Sequence, residues 1–165
     1  MANFESVLAA YQTLLSQVQS LMLSTINVDG SPHASYAPYV KDETYQLYIF
    51  TSGLSAHTQN LLKTRQASVL LIADEGQTQQ VFARQRITYD CQAERLERDT
   101  TRWQQIAAIF EQQFGEIIEM LRQLEDFQIF CLSPHRGRFV MGFGAAYEID
   151  PKNLNQLIPQ AITSA

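Results

Sequence analysis

Cysteine is nearly absent: only Cys91 and Cys131 occur in 165 residues, far apart and in apolar, strand-like runs. They form neither a CxxC pair nor a zinc spacing, so a disulfide framework and a zinc ribbon are excluded and two buried, reduced thiols are expected. Long hydrophobic runs are absent too. None reaches the ~18 residues of a membrane helix, so no membrane partner is expected. Basic residues are scarce. Twelve Lys and Arg against seventeen Asp and Glu leave a net charge of −5, the wrong sign for a broad grip on nucleic acid. Glycine and proline number seven and five, too few for a fibrous or low-complexity chain. The first residues, MANFESVLAAYQTLL, carry an acid where a signal peptide carries bases, so a cytoplasmic location is expected. The three histidines, His33, His57 and His135, show no metal-ligand spacing, and no metal site is expected. No GxGxxG loop and no nucleophile elbow occur, which removes a Rossmann fold and a Ser-His-Asp hydrolase.

What is present is an ordinary apolar fraction, 45%, in a chain long enough for one domain over 1–165. Phe4, Leu8, Tyr11, Leu15 and Val18 recur at helical spacing, which predicts a helix over 4–19 capped by Asn3. The stretch 21–40, LMLSTINVDGSPHASYAPYV, organises the rest of the chain. Its Asp29-Gly30 predicts a type I′ hairpin turn between a mostly apolar arm and an arm that carries His33, Ser35, Tyr36 and Tyr39. Pro38 places the second arm at an edge or a bulge. Further strands are predicted at 45–51 and 67–73, and as one long bending strand over 80–97. Another is predicted at 127–132, then a tight turn at 134–137 and a last strand over 138–149. Ser55 caps a short helix through Leu62, and a helix from Asp99 or Thr100 is interrupted at Gly115. The fold class is therefore α+β, mainly β: an antiparallel barrel of six to seven strands over about 20–150, with peripheral helices and a short C-terminal tail.

Four groups bear chemistry. Thr51, Ser52, Ser55 and His57 sit where a strand runs into a helix, and free amides beside hydroxyls make a phosphate cradle or simply a helix cap. Arg84 and Arg86, two apart on a predicted strand, share a face, either solvated or turned to an anion. Gly142 and Gly144 permit a ligand, a partner or a bend to approach one face of the last strand. Asp126 stands at a strand start, as a cap or as a functional carboxylate.

The ordered pieces DGSPHASYAP, IFTSGLSAHTQNLL, VFARQRITYD, QFGEII, LEDFQIF and GFGAAYEI resemble the FMN-binding split barrels related to pyridoxamine 5'-phosphate oxidase, and within them the heme-utilisation (HugZ/HutZ-type) branch. The resemblance covers about residues 15–150. It implies a homodimer with interfacial cofactor sites for a small-molecule ligand. In the wider family the cofactor is FMN. The matching positions are His33, Ser35, Tyr36, Thr51, Ser52, Ser55 and His57, with Arg84 and Arg86 near the cofactor. A flavin-dependent oxidoreductase is the first expectation. In the heme-utilisation branch the same dimer binds heme, and some members degrade it. There a tail histidine holds the iron, and an aspartate matching Asp126 orients it from the partner subunit. This chain has no histidine after His135, so hemin is expected to bind poorly, or through a ligand other than a tail residue, with His57 the leading substitute. A cofactor carrier without enzymatic activity is the third expectation.

Overall fold

A computed structural model of the chain describes residues 3–159; the remainder of the expected tail, 160–165, lies outside the described residues. Asn3 opens helix α1 (Phe4–Gln17) by accepting a hydrogen bond from the Ser6 amide at 2.8 Å, as the sequence predicts. Its buried face is Val7, Tyr11, Leu14 and Leu15. The face is thus turned slightly from the predicted stripe, and Phe4 lies at its rim, 36% exposed.

β1 (Ser20–Ile26) and β2 (Pro32–Lys41) make the expected hairpin, but not with a type I′ turn. Only Gly30 takes a positive φ, +83°. The Gly30 amide donates to the Asn27 carbonyl at 2.9 Å, and Asn27 to Ser31 at 2.8 Å. The Asp29 carboxylate accepts from both the Ser31 amide and its hydroxyl. That local bonding satisfies the loop with Asp29 in an ordinary conformation.

β3 (Leu47–Ser52), α2 (Ala56–Thr64) and β4 (Gln66–Ile72) come next. The long strand expected over 80–97 is shorter: β5 covers Arg86–Arg95. Before it, residues 73–85 form a loop with two 3-10 turns, Glu75–Gln77 and Val81–Ala83. Asp74 caps the first by accepting from the Gly76 amide at 2.7 Å, and Gln80 caps the second. The alternation in this stretch is therefore not strand pairing. Thr100 caps α3 (Thr101–Phe114), Gly115 ends it at φ +77°, and α4 is Ile117–Arg122.

The expected turn at 134–137 is absent. β6 runs unbroken over Phe127–Gly142, and β7 is Ala145–Ile149. Asp90 pairs with Arg136 while Cys91 pairs with Pro134, so His135 is the extra residue of a bulge. A bulge accommodates a proline that has no amide for the ladder. Gly137 then lies against the Tyr89 ring, where an added Cβ would stand 2.8 Å from a ring carbon.

The strands run β3–β2–β1–β4–β5–β6, and β6 pairs back onto β3, closing a six-stranded antiparallel barrel. β7 and the two-residue β8 (Leu157–Ile158) extend the sheet beyond β6. The barrel interior is filled by Leu21, Leu23, Ile49, Val69, Leu71, Ile87, Tyr89, Phe130 and Phe139, with α1 packed into the same core. A second core forms outside β3 and β6, where Tyr48, Phe50, Ile129 and Cys131 meet Trp103, Ile106 and Phe110 of α3. β3 is consequently buried on both faces. Both cysteines are buried and free, as expected. No helix of the described residues is long and apolar enough to cross a membrane.

The Tyr11 hydroxyl donates to the Leu154 carbonyl at 2.5 Å and stands 2.8 Å from the Tyr89 hydroxyl, which must therefore be the donor to it. All three groups are buried. Tyr11→Phe leaves one buried acceptor and one buried hydroxyl without partners. We expect a loss of about 1–3 kcal/mol in urea unfolding, against under about 0.5 kcal/mol for Tyr36→Phe on the outer surface. Equal effects would show that the buried relay contributes nothing.

Candidate functional site

Closure of the barrel fixes the first group of side chains. The end of β3 pairs with the start of β6, with Ser52 opposite Phe127. The Gly53 amide donates to the Asp126 carbonyl at 2.7 Å. An added Cβ on Gly53 would stand 2.9 Å from that same oxygen, so only glycine fits there. The Ser52 hydroxyl donates to the Asp126 carboxylate at 2.7 Å and accepts from the Leu54 amide. The turn that carries Asp126 is held from behind. The Arg98 guanidinium lies over Trp103 and donates to the carbonyls of Arg122, Leu124 and Phe127. Asp126 is thus an oriented carboxylate at the mouth of the strand-to-helix junction.

α2 packs into this end of the barrel. The Thr58 hydroxyl donates to Thr51 at 2.9 Å, both buried. Asn60 donates to Thr25 at 3.1 Å and to Asn27 at 3.0 Å. His33 lies directly across from Thr25 in the β1–β2 ladder, on the same face. His57, half-buried on α2, is held below its ordinary value of 6.5, chiefly by burial and secondly by the nearby His33 charge. Its Nε2 is buried with no partner, as is Oε1 of Gln128, the residue across from Thr51. Buried polar atoms are normally paired, and these two unpaired atoms stand at the same end of the barrel, whereas a third, Gln46 Oε1, lies before the other end of β3. A neutral imidazole carries one bare nitrogen, which suits it to hold an iron or to accept a proton.

The predicted residues do not form one cluster. His33, Thr51, Ser52, Ser55 and His57 gather at the α2 end, with Asp126 beside them. Ser35 is half-buried and its hydroxyl donates to the Leu23 carbonyl. Ser55 takes the cap position of α2, but its side chain makes no cap hydrogen bond. Tyr36 points outward and is largely exposed. Arg84 is a loop residue, not a strand residue. Its Nε donates to the Ala73 carbonyl at 2.6 Å and its Nη1 pairs with Glu75 at 3.1 Å. The shared face expected for Arg84 and Arg86 is lost because only Arg86 lies in β5, where it donates to the Arg84 carbonyl. Arg86 pairs with Ile72, at the far end of β4 from Gln66, where α2 enters. That is six residues of strand, about 20 Å. Sequence reading missed Thr25, Asn60 and Gln128. A polar Asn60 within the run QNLL was the available signal. Among the described residues no three His, Cys, Asp or Glu side chains gather as a metal site.

The depressed His57 pKa has a consequence for stability. The folded chain resists protonating this imidazole, so below about pH 6.5 the unfolded chain binds more protons and stability falls as pH falls. Between about pH 7.5 and about pH 5, His57→Gln should flatten this dependence of the urea midpoint. Identical slopes in wild type and variant would remove His57 as the titrating group.

Comparison with known proteins places this geometry. The profile of the pyridoxamine 5'-phosphate oxidase family matches residues 7–141. The heme oxygenase HutZ of Vibrio cholerae is 40% identical over 136 residues, 82% of this chain and 77% of that protein. The crystal structure of HutZ, as the heme storage protein of Vibrio cholerae, matches with a TM-score of 0.74 at 36% identity, over 77% of this chain and 89% of that one. ChuZ of Campylobacter jejuni matches with a TM-score of 0.82 at 34% identity, over 93% of this chain and 63% of that one. The chain belongs to the pyridoxamine 5'-phosphate oxidase family, in its heme-utilisation branch.

Proposed function

We propose that this protein binds heme between the two copies of a homodimer, rather than using FMN as a flavin-dependent oxidoreductase. The observation that carries the reading is the 40% identity to a heme oxygenase over 136 residues, a span that includes most of the chain. The residues present support it. His57 offers a buried nitrogen without a partner, and burial lowers its pKa. His135 is an exposed residue of the β6 bulge. Of the two imidazoles at this end, His33 and His57, we assign the iron to His57, which has the unpartnered nitrogen. Asp126, fixed by Ser52, Gly53 and Arg98, orients a polar group brought to it across the interface. When bound, heme supplies the redox and dioxygen chemistry, and the protein's part is to hold it and exclude water.

Within one protomer Arg86 lies a strand length from the α2 end, and Arg84 is committed to Glu75. The same separation favours the dimer. One protomer keeps its His57 and Arg86 ends apart, while a two-fold axis over the sheet face sets one end against the other end of the second copy.

Titration of the purified protein with hemin and, separately, with FMN tests the reading by absorption. We expect a stoichiometric Soret band with hemin, no retained flavin, and at least a tenfold weaker hemin affinity in His57→Ala. Stoichiometric flavin with only weak hemin uptake would overturn it. Light scattering at micromolar concentration should give twice the chain mass. A monomer would remove the interfacial site.

A further inference from the structure

α4 buries only Ile118, while Phe114 and Leu121 lean partly on the second core. Ile117, Met120 and Leu124 stay outside, at 50%, 53% and 42% exposure. With Leu121 they occupy positions i, i+3, i+4 and i+7, which is one face of a helical run. The Gln123 amide donates to the Met120 carbonyl and the Leu124 amide to Leu121, so the stripe continues past the end of α4. Single exposed apolar side chains are ordinary, whereas a contiguous stripe marks a contact surface. The stripe is also held in place. Arg98 donates to the carbonyls of Arg122, Leu124 and Phe127, and Arg122 is tied to Glu111 and Gln104 of α3.

The rim of the stripe is acidic. Glu116 and Glu119 precede and follow Ile117, Glu125 follows Leu124, and all three glutamates are exposed. Among the described residues none of the three forms an ion pair. Arg122 is the one cation between Phe114 and Phe127, and it turns toward α3, with its guanidinium over Trp103. This charge selects among the occupants. A second copy meeting the stripe about a two-fold axis would bring like carboxylates together. An anionic lipid surface would be repelled for the same reason. A protein that rings an apolar centre with Lys and Arg satisfies both the stripe and its rim. The run from Glu116 to Glu125 is about 15 Å long, which fits a transient contact at the small end of interfaces.

We propose that α4 and the turn after it form a docking face for a protein with a basic, apolar-centred surface. Met120 is the adaptable centre of the contact, with Ile117 and Leu124 beside it. The glutamates steer the approach and set its salt dependence. Leu124 and Asp126 belong to the same turn, so the docked partner stands beside the candidate site. The face itself depends neither on heme nor on the histidines at the α2 end.

The probe is a fluorescein-labelled helical peptide with leucines along one face and lysines on both flanks. Fluorescence anisotropy against the full chain should show micromolar binding that weakens as salt is raised. Met120→Gln combined with Leu124→Gln should weaken the peptide about tenfold or more at every salt concentration. Glu116→Gln combined with Glu119→Gln should weaken it at low salt and flatten the salt dependence. All four positions are exposed, so circular dichroism should be unchanged in both variants. Ile158→Gln, at an exposed apolar residue of β8, should leave binding as it is. A peptide of the same composition in scrambled order, without an apolar face, should bind about tenfold more weakly or worse. Failure of the wild type to bind the peptide, or equal binding by the helix variants, would overturn the proposal. Equal binding of a peptide with glutamates in place of the lysines would overturn it too. Uptake of the chain by vesicles of anionic lipid would point to a membrane instead. A fall from dimer to monomer in the Met120→Gln, Leu124→Gln variant, read by light scattering, would give the face to a second copy; either result sinks the assignment.

Discussion

Barrel closure through β3 and β6 is the constraint on which the rest depends. β3 is buried on both faces, so each of its backbone groups must find a partner in a ladder. β2 supplies one side, and the first residues of β6 supply the other. β6 must then serve three neighbours in sixteen residues, β3, β5 and β7. It does so by a bulge at His135 and by a glycine at 137 that lets the Tyr89 ring lie against the backbone. The same closure brings Asp126 against Ser52 and Gly53. The most ordered carboxylate of the candidate site is thus a by-product of the way the barrel shuts.

Elements governed by local chemistry were legible in the sequence. The Asn3 and Thr100 caps, the Gly115 stop and the apolar arm of the first hairpin arise from side chains within a few residues of each other. Elements governed by a partner strand were not. The run Pro134-His135-Arg136-Gly137 has turn composition, yet it continues a strand because β5 offers a ladder that one extra residue can bridge. Not every locally governed element was legible, however: the run before Arg86 has strand alternation, yet Asp74 and Gln80 bind their own backbone and fold it into 3-10 turns. Propensity decides only where tertiary pairing leaves the choice open.

The candidate site shows the same division. Residues contiguous in sequence, from Thr51 to His57, stay together in space. Arg84 and Arg86 were assigned to the same site, but sequence order carries no measure of depth along a barrel. The β4–β5 register puts Arg86 at the opposite end from the helix that carries His57. Thr25 and Asn60 escaped notice for the complementary reason. Each is an unremarkable polar residue until the fold buries it in contact with the other.

In one protomer His57 and Arg86 stand at opposite ends of the barrel, about the length of a strand apart. In the proposed dimer each is supplied by a different copy, so neither copy alone presents the full set. Ligand binding and self-association are then linked, because a ligand that contacts both copies stabilises the pair by the same free energy with which the pair retains the ligand. A net charge of −5 on each copy opposes that association, and it acts most strongly at low salt.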